Sequence, residues 1–295
     1  MSISNSLDHA IMLQETKEGN FVQAGYCVDG KKYENYLSND SWGEFKENMR
    51  IHYPEAYELF GLGGGKELEE RTVGKHTYPP KMASFGSSSR MIYNLMKDQS
   101  DFLFEKKLST TIGGKANLDG FIETEEKCVF VEAKCKEPYS SNSREVSKKY
   151  KELYEFLANS ENNNISCSIS QKEKEKIEVQ FFAGMRQIQH FDIKQMICHL
   201  LGIATAYLQG IYDKKIDFIY LLYDPVDLPI ENVSDREEIL RIYGIECQES
   251  ESIDFKGLFH DILVFLAEKK GSNQAVERIS KEFSFRMCSQ RNMSI

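Results

Sequence analysis

Two acidic residues and a lysine occur in the stretch LDGFIETEEKCVFVEAKC (118–135), which otherwise has the pattern of two β-strands joined by a turn. A hairpin that is symmetric about TEEK (124–127) places Asp119 directly opposite Glu132, with Cβ atoms about 4.5–5.5 Å apart. Glu132 and Lys134 share one strand face because side chains alternate with period two. The sequence therefore predicts that two carboxylates and one ammonium group converge on one spot.

Two carboxylates this close repel each other, and the pKa of one of them is raised unless a cation lies between them. Lys134 offsets part of this charge. A hard divalent ion suits the carboxylate oxygens better, because Mg²⁺ is commonly held by one or two carboxylates together with substrate phosphates. The spacing of Asp119, Glu132 and Lys134 thus favours a site for a divalent cation.

The simpler alternative is a solvated hairpin face, in which each opposite-charge pair contributes about 0.2–1 kcal/mol. Phe130 lies on the same face as Glu132, and the alternate positions Val129 and Val131 are apolar too. Both faces are therefore expected to be partly buried, and buried charges need partners or a function.

The elements around this hairpin follow from apolar spacing. SSSRMIYNLMKDQSDFLFEKKL (87–108) begins with serines suited to an N-cap and continues with a broadly helical apolar pattern. DIKQMICHLLGIATAYLQG (192–210) has a strong helical apolar face, and KIDFIYLLYDP (215–225) reads as a buried strand that ends at Asp-Pro. The polar stretches 159–170 and 247–255 read as loops. The order of helix, hairpin, helix and strand predicts an α/β domain with a central mixed sheet flanked by helices.

Composition restricts the class of protein further. The 295 residues, 41% of them hydrophobic, are sufficient for a substantial core. The seven cysteines are an odd number, scattered and without a CxxC pair, which indicates reduced thiols in a cytoplasmic protein. No run of about 18 apolar residues occurs, so we expect a protein that is neither secreted nor membrane-spanning. GLGGGKE (61–67) is not a P-loop, because Glu67 stands where the Mg²⁺-binding Ser or Thr is required.

The formal net charge is −9 and the isoelectric point is near 5.4. This argues against a generally basic nucleic-acid coat protein, but it is compatible with an enzyme that grips DNA in one locally basic groove. Two stretches are rich in lysine and arginine, KKLSTTIGGKANLD (106–119) and KCKEPYSSNSREVSKKYKELY (134–154). A solvated surface explains these runs as well as contacts with phosphates do.

Asp119, twelve intervening residues and Glu132-Ala133-Lys134 together resemble the PD-(D/E)xK nuclease superfamily, with Leu118 in place of the loosely kept proline. The resemblance implies that Asp119 and Glu132 hold Mg²⁺, with the carbonyl of Ala133 as a further ligand. It implies that Lys134 positions or activates the attacking water. An acid on the preceding helix completes such sites, and Glu105 occupies the matching place in this sequence.

SSSRMIYNL, NLDGFI, FVEAKCKEPY and KQMICHLLGI together are similar to a bacterial, restriction-endonuclease-like branch of this superfamily, over residues 85 to 225. That branch places a glutamine beside the lysine, which implies a catalytic role for Gln195. A polar residue at a helix start is an equally good reading of Gln195, and His199 reads as an ordinary helix histidine.

We therefore expect a restriction-endonuclease-like core at 85–230, an N-terminal extension at 1–84 that packs on it, and a C-terminal helical extension at 231–295. The expected activity is Mg²⁺-dependent DNA endonuclease, with Mn²⁺ as an alternative ion, in restriction or phage defence. A structure-selective repair or recombination nuclease and a catalytically inactive nucleic-acid-binding protein of the same fold are the alternatives. DNA is the expected partner. A homodimer is an alternative to a monomer, because such nucleases often cut both strands of a symmetric site as dimers.

Overall fold

The fold was analysed in a computed structural model. The structure describes residues 3–17, 23–62, 67–139, 145–173, 175–270 and 275–293.

The described residues form nine α-helices. In chain order they are α1 Ile3–Lys17, α2 Asn39–His52, α3 Pro54–Gly61, α4 Ser88–Met96, α5 Lys151–Asn159, α6 Ile193–Leu208, α7 Val233–Glu251, α8 Phe255–Lys270 and α9 Val276–Lys281.

The same residues form thirteen β-strands. They are β1 Ala24–Val28, β2 Lys31–Leu37, β3 Arg71–Val73, β4 His76–Tyr78, β5 Leu103–Ser109, β6 Lys115–Glu123, β7 Lys127–Lys134, β8 Glu145–Ser147, β9 Ile165–Glu173, β10 Lys176–Ala183, β11 Arg186–Gln187, β12 Lys215–Leu222 and β13 Phe283–Ser289.

A five-stranded mixed sheet lies at the centre, with strand order β13-β12-β7-β6-β5. β7 and β13 both run parallel to β12, whereas β5, β6 and β7 form an antiparallel meander. Helices pack on both faces, so the α/β architecture with a mixed central sheet is confirmed. Gly120 pairs with Val131 and Glu123 pairs with Cys128, which is the predicted register of the hairpin around TEEK.

The sheet separates two apolar cores. On one face, Phe130 and Phe218 pack with α6 and α8. On the other face, Val131 and Ile219 pack with α4 and with N-terminal residues such as Trp42. Both faces of the sheet are therefore covered, which explains why β7 is buried along nearly its whole length.

The prediction of one helix through residues 87–108 is wrong in its second half, because α4 ends at Met96 and residues from Leu103 onward form β5. Phe104 packs in the α4-side core and Leu108 in the α6-side core. Two even-numbered residues of a regular strand would share a face, but Glu105 between them has φ 54 and changes the phase of the pleat. The resulting apolar spacing imitates a helical pattern.

Two predicted loops are also ordered elements. Residues 159–170 include the first part of β9, which pairs with β10 in a second, four-stranded sheet. β9 is the edge strand of that pair, and its exposed positions carry serines, which gave the stretch its loop-like composition. Residues 247–255 begin inside α7, where Glu246 and Glu249 are buried.

The terminal segments contribute to the same two cores. The segment 231–295, predicted to be helical, also supplies β13, which extends the central sheet beside β12. In segment 1–84, Leu7 of α1 and Leu37 of β2 belong to the α4-side core. Within the described ranges, no helix is long and apolar enough to cross a bilayer.

Candidate active site

Three acids occupy one row across neighbouring strands of the central sheet. The ladder between β6 and β7 ends at Gly120–Val131, and Asp119 and Glu132 are the next residues on the two strands. On the other side of β6, Glu105 lies opposite Asp119, between the paired positions Phe104–Gly120 and Lys106–Leu118. The row ends in a cleft of about 620 Å³ that all three acids line together with Lys134 and Gln195.

Glu132 and Lys134 form a buried ion pair, with Lys134 Nζ 2.7 Å from Glu132 Oε1. The other carboxylate oxygen, Oε2, lies 3.0 Å from His199 Nε2. Burial opposes ionisation of Glu132, but the attraction of Lys134 and His199 outweighs it and lowers the pKa to about 2. Burial likewise disfavours the ammonium group of Lys134, yet Glu132 raises its pKa overall. The pair is therefore fully charged at neutral pH.

Helix α6 supports this ion pair from one side of the sheet. Lys134 Nζ donates to Gln195 Oε1 at 2.6 Å, and Asp192 caps the helix by accepting from the Gln195 amide at 3.0 Å. The four-residue step from Gln195 to His199 advances about 6 Å along the helix, and the two-residue step from Glu132 to Lys134 advances about 6.8 Å along the strand. Gln195 can therefore lie beside Lys134 while His199 lies beside Glu132. The predicted neighbour relation of Gln195 and Lys134 is confirmed. No local pattern in the sequence indicates that His199 contacts Glu132.

Asp119 is half-buried, and its Oδ2 accepts a hydrogen bond from the Ala133 amide at a distance of 2.7 Å. Burial, followed by the charge of Glu132, raises the pKa of Asp119 well above its ordinary value. The alternation of side chains between the two faces of the sheet is interrupted in β6 as well. Leu118 and Phe121 are three positions apart, yet both pack in the α6-side core. The predicted contribution of Ala133 is its carbonyl oxygen, and the structure shows its amide fixing Asp119 in place.

Glu105 lies on β5, so its predicted position on the preceding helix is wrong. Its backbone adopts φ 54, a left-handed conformation that non-glycine residues seldom occupy and that concentrates at functional sites. The side chain is half-buried, and burial together with the charge of Glu67 raises its pKa to about 7. This local change in backbone direction lets Glu105 line the cleft from a strand, although the sequence predicted that a helix would carry it.

Glu67 is an acid of this cleft that sequence reasoning missed. It is 6% exposed and accepts hydrogen bonds from Ser89 Oγ at 3.1 Å and from Lys81 Nζ at 3.2 Å. Ser89 lies in the first turn of α4, whose N-cap is Ser87. Only the serine-rich start of α4 was visible in the sequence, because the contact joins residues that are 22 positions apart.

Lys136 is a second lysine of the same cleft. Its ammonium group donates to Asp8 of α1 at 2.9 Å and 3.2 Å and to Ser84 at 3.1 Å. Asp8 is 1% exposed, so this contact fastens the N-terminal helix to the chain two residues after Lys134.

The donor set suits a divalent cation, although the described side chains do not form a ready-made group of three or more metal-binding His, Cys, Asp or Glu residues. Lys134 compensates Glu132, whereas no described side chain forms an ion pair with Glu105 or Asp119, and both have raised pKa values. A hard cation in the cleft would relieve that repulsion, and carboxylate oxygens are the ligands Mg²⁺ prefers.

Searches against protein-family models, curated proteins and solved structures find no match to this chain.

Proposed function

We propose that this protein is a Mg²⁺-dependent DNA endonuclease with a restriction-endonuclease-like core, for which Mn²⁺ can replace Mg²⁺. One observation carries the proposal: Glu105, Asp119 and Glu132 lie in a single row that opens into a cleft, and Lys134 lies at the same end of β7. Acids from three adjacent strands beside a buried lysine are an expensive arrangement for stability alone. Their convergence on one cleft favours a catalytic role.

In this proposal, Asp119, Glu132, Glu105 and the Ala133 carbonyl hold Mg²⁺, which when bound acts as a Lewis acid and lowers the pKa of a coordinated water. Glu132 is kept ionised by its partners, so it remains a metal ligand over the whole physiological pH range. Lys134 stabilises negative charge that develops on the phosphate and orients the attacking water.

Gln195 has a positioning role in the same proposal. Its amide oxygen accepts one of the three hydrogens of the Lys134 ammonium group and Glu132 takes another, so the third points to the remaining space. The lysine is thereby directed without being neutralised.

A second candidate is a nucleic-acid-binding protein of the same fold that does not cleave. Both oxygens of Glu132 already lie close to basic side chains, since Lys134 pairs with Oε1 and His199 Nε2 lies 3.0 Å from Oε2. A carboxylate engaged in this way is compatible with a purely structural ion pair.

Cleavage assays separate the two candidates. Plasmid and linear DNA are incubated with Mg²⁺, Mn²⁺ or EDTA and with wild type, Asp119→Asn, Lys134→Met or Glu123→Gln. Glu123 lies on β6 like Asp119, but it is paired with Lys214 at the exposed end of the hairpin. We expect metal-dependent cleavage that falls at least about 100-fold in the two site variants and stays unchanged in Glu123→Gln.

Absence of cleavage by folded wild-type protein, together with no heat of Mg²⁺ binding in calorimetry, would favour the non-cleaving candidate. Cleavage that persists in EDTA or in Asp119→Asn would show that the activity does not arise at this row of acids.

A further inference from the structure

The exposed face of the β5–β6 hairpin continues from the row of acids toward the hairpin turn. Next to the row, Lys107 pairs with Asn117, and beyond it Ser109 pairs with Lys115. The residues of these two pairs are all exposed, whereas the positions between them pack in the α6-side core. Asn117 also lines the cleft. A continuous polar surface therefore leads from Asp119 to Lys115.

A lysine from elsewhere in the chain joins this surface at the turn. Lys149, which follows β8, donates from Nζ to the carbonyl oxygen of Gly113. Gly114 leaves the room for it, since a Cβ there would lie 2.8 Å from Lys149 Nζ. The contact joins the two lysine-rich stretches of the sequence at the β5–β6 turn.

The charges of these lysines are compensated only weakly, and Lys107 interacts with the charge of Glu105 in the cleft. Residues 106–118 contain no acid. Within the ranges that the structure describes, no carboxylate forms an ion pair with Lys107, Lys115 or Lys149. In the cleft itself, by contrast, Lys134 and Lys136 are paired with buried acids. Weakly compensated positive charge on a chain with a net charge of −9 calls for an anionic partner.

The spacing of the lysines fits a phosphate backbone. A strand advances about 3.4 Å per residue, so Lys107 lies about 7 Å from Glu105 along β5, and Lys115 about 14 Å from Asp119 along β6. Successive phosphates of one DNA strand rise by about 3.4 Å along the helix axis. Since the backbone winds around that axis, neighbouring phosphates are farther apart than this rise, and both lysines lie within reach of phosphates close to one that occupies the cleft.

We propose that Lys107, Lys115 and Lys149, here called the lysine face, bind the DNA backbone on one side of the phosphate that enters the cleft. The proposal rests on the proposed function, because DNA is the anion that the proposed nuclease would bring to this surface. Lys107 is held in place by its hydrogen bond to the Leu62 carbonyl at 2.9 Å, which leaves two ammonium hydrogens for a phosphate.

The test measures binding of a fluorescein-labelled DNA duplex by anisotropy in EDTA, between about 50 and about 200 mM KCl. One variant carries Lys107→Gln, Lys115→Gln and Lys149→Gln. The matched control carries Lys215→Gln, Lys256→Gln and Lys281→Gln, which remove the same charge from exposed lysines on β12, α8 and α9.

The slope of log K against log salt is negative, and each lost phosphate contact reduces its magnitude by about 0.9. Three lost contacts therefore reduce the magnitude by about 2.7. We expect this reduction in the lysine-face variant and the wild-type slope in the control. Equal slopes for the two variants, or wild-type protein that does not bind the duplex at about 50 mM KCl, would overturn the lysine face.

Cleavage by the same proteins distinguishes this failure from failure of the proposed function. If wild type cleaves DNA and the two triple variants cleave it equally well, the lysine face is refuted while the nuclease stands. If only the lysine-face variant shows the reduced salt dependence of DNA binding and none of the proteins cleaves DNA, the DNA-binding surface stands and the nuclease is refuted.

Discussion

His199 Nε2 lies 3.0 Å from Glu132 Oε2, on the side of the carboxylate that Lys134 leaves free. Both side chains are only 2% exposed. A buried carboxylate is costly unless its oxygens have partners, so the histidine contributes to keeping Glu132 ionised and fixed in orientation. His199 is therefore a positioning residue that acts through Glu132.

We expect His199→Ala to lower the free energy of unfolding by about 1.5–3 kcal/mol, because the buried Glu132 carboxylate loses the polar ring that lies 3.0 Å from its Oε2. In the proposed nuclease, Mg²⁺ affinity should also fall by about 10- to 100-fold, as is typical when a residue that orients a ligand is removed. Urea unfolding and calorimetric Mg²⁺ titration measure the two effects.

His199→Gln keeps a hydrogen-bond donor near Glu132 and should recover part of both losses. The exposed His52 at the end of α2 provides the control, since His52→Ala should change stability by less than about 0.5 kcal/mol. Unchanged stability in His199→Ala would contradict the role assigned to this contact.

Gln195 fixes the direction of the Lys134 ammonium group. We expect Gln195→Leu to lower kcat by about 100-fold with little change in KM, because a misplaced catalytic group costs rate while substrate binding is retained. Gln195→Glu preserves the acceptor and should retain more activity. Gln209→Ala, at the exposed C-terminal end of α6, is the control on the same helix. A loss confined to KM would show that Gln195 binds substrate instead.

Glu246 predicts a pH dependence of stability. It is 1% exposed and accepts from Tyr220 Oη at 3.0 Å. Burial, aided by Glu137 and Glu249, outweighs the opposing effects of Tyr220 and Lys134 and raises its pKa from 4.5 to about 8. The folded state therefore keeps a proton that the unfolded state loses above about pH 4.5.

The stabilisation from this proton is fully present below pH 4.5 and is lost as the pH rises through about 8. The largest contribution to the slope is about −1.4 kcal/mol per pH unit. Urea unfolding of wild type and Glu246→Gln between these pH values measures it, because the amide cannot ionise. If the two proteins have parallel pH profiles, Glu246 does not hold the proton.

Gly120 lies under the ring of Phe102, and a Cβ at this position would lie 2.0 Å from Phe102 Cζ. Phe102 is packed in the α4-side core, so the ring has little room to move. We expect Gly120→Ala to destabilise the fold by about 1–3 kcal/mol, measured by urea unfolding.

Phe102→Leu in the Gly120→Ala background should restore part of that stability by making room for the methyl group. Gly43, with open space around it in α2, is the control of opposite sign, since Gly43→Ala should stabilise by about 1 kcal/mol. Additive effects of Gly120→Ala and Phe102→Leu would show that the two residues are not coupled.

The sequence by itself determined the hairpin that carries Asp119, Glu132 and Lys134, because its register depends on a short turn and a period-two pattern within about twenty residues. It also determined the helix that carries Gln195, since an apolar face of that strength has to be buried. These features are local, and local patterns record them.

Only the tertiary structure decided the remaining members of the site. Glu105 reaches the row of acids through one left-handed residue in a strand, which no periodicity can express. Glu67, Asp8 and Lys149 reach the cleft or its flank through contacts with residues distant in sequence. Such contacts depend on how whole layers pack against the sheet, and a single sequence does not contain their partners side by side.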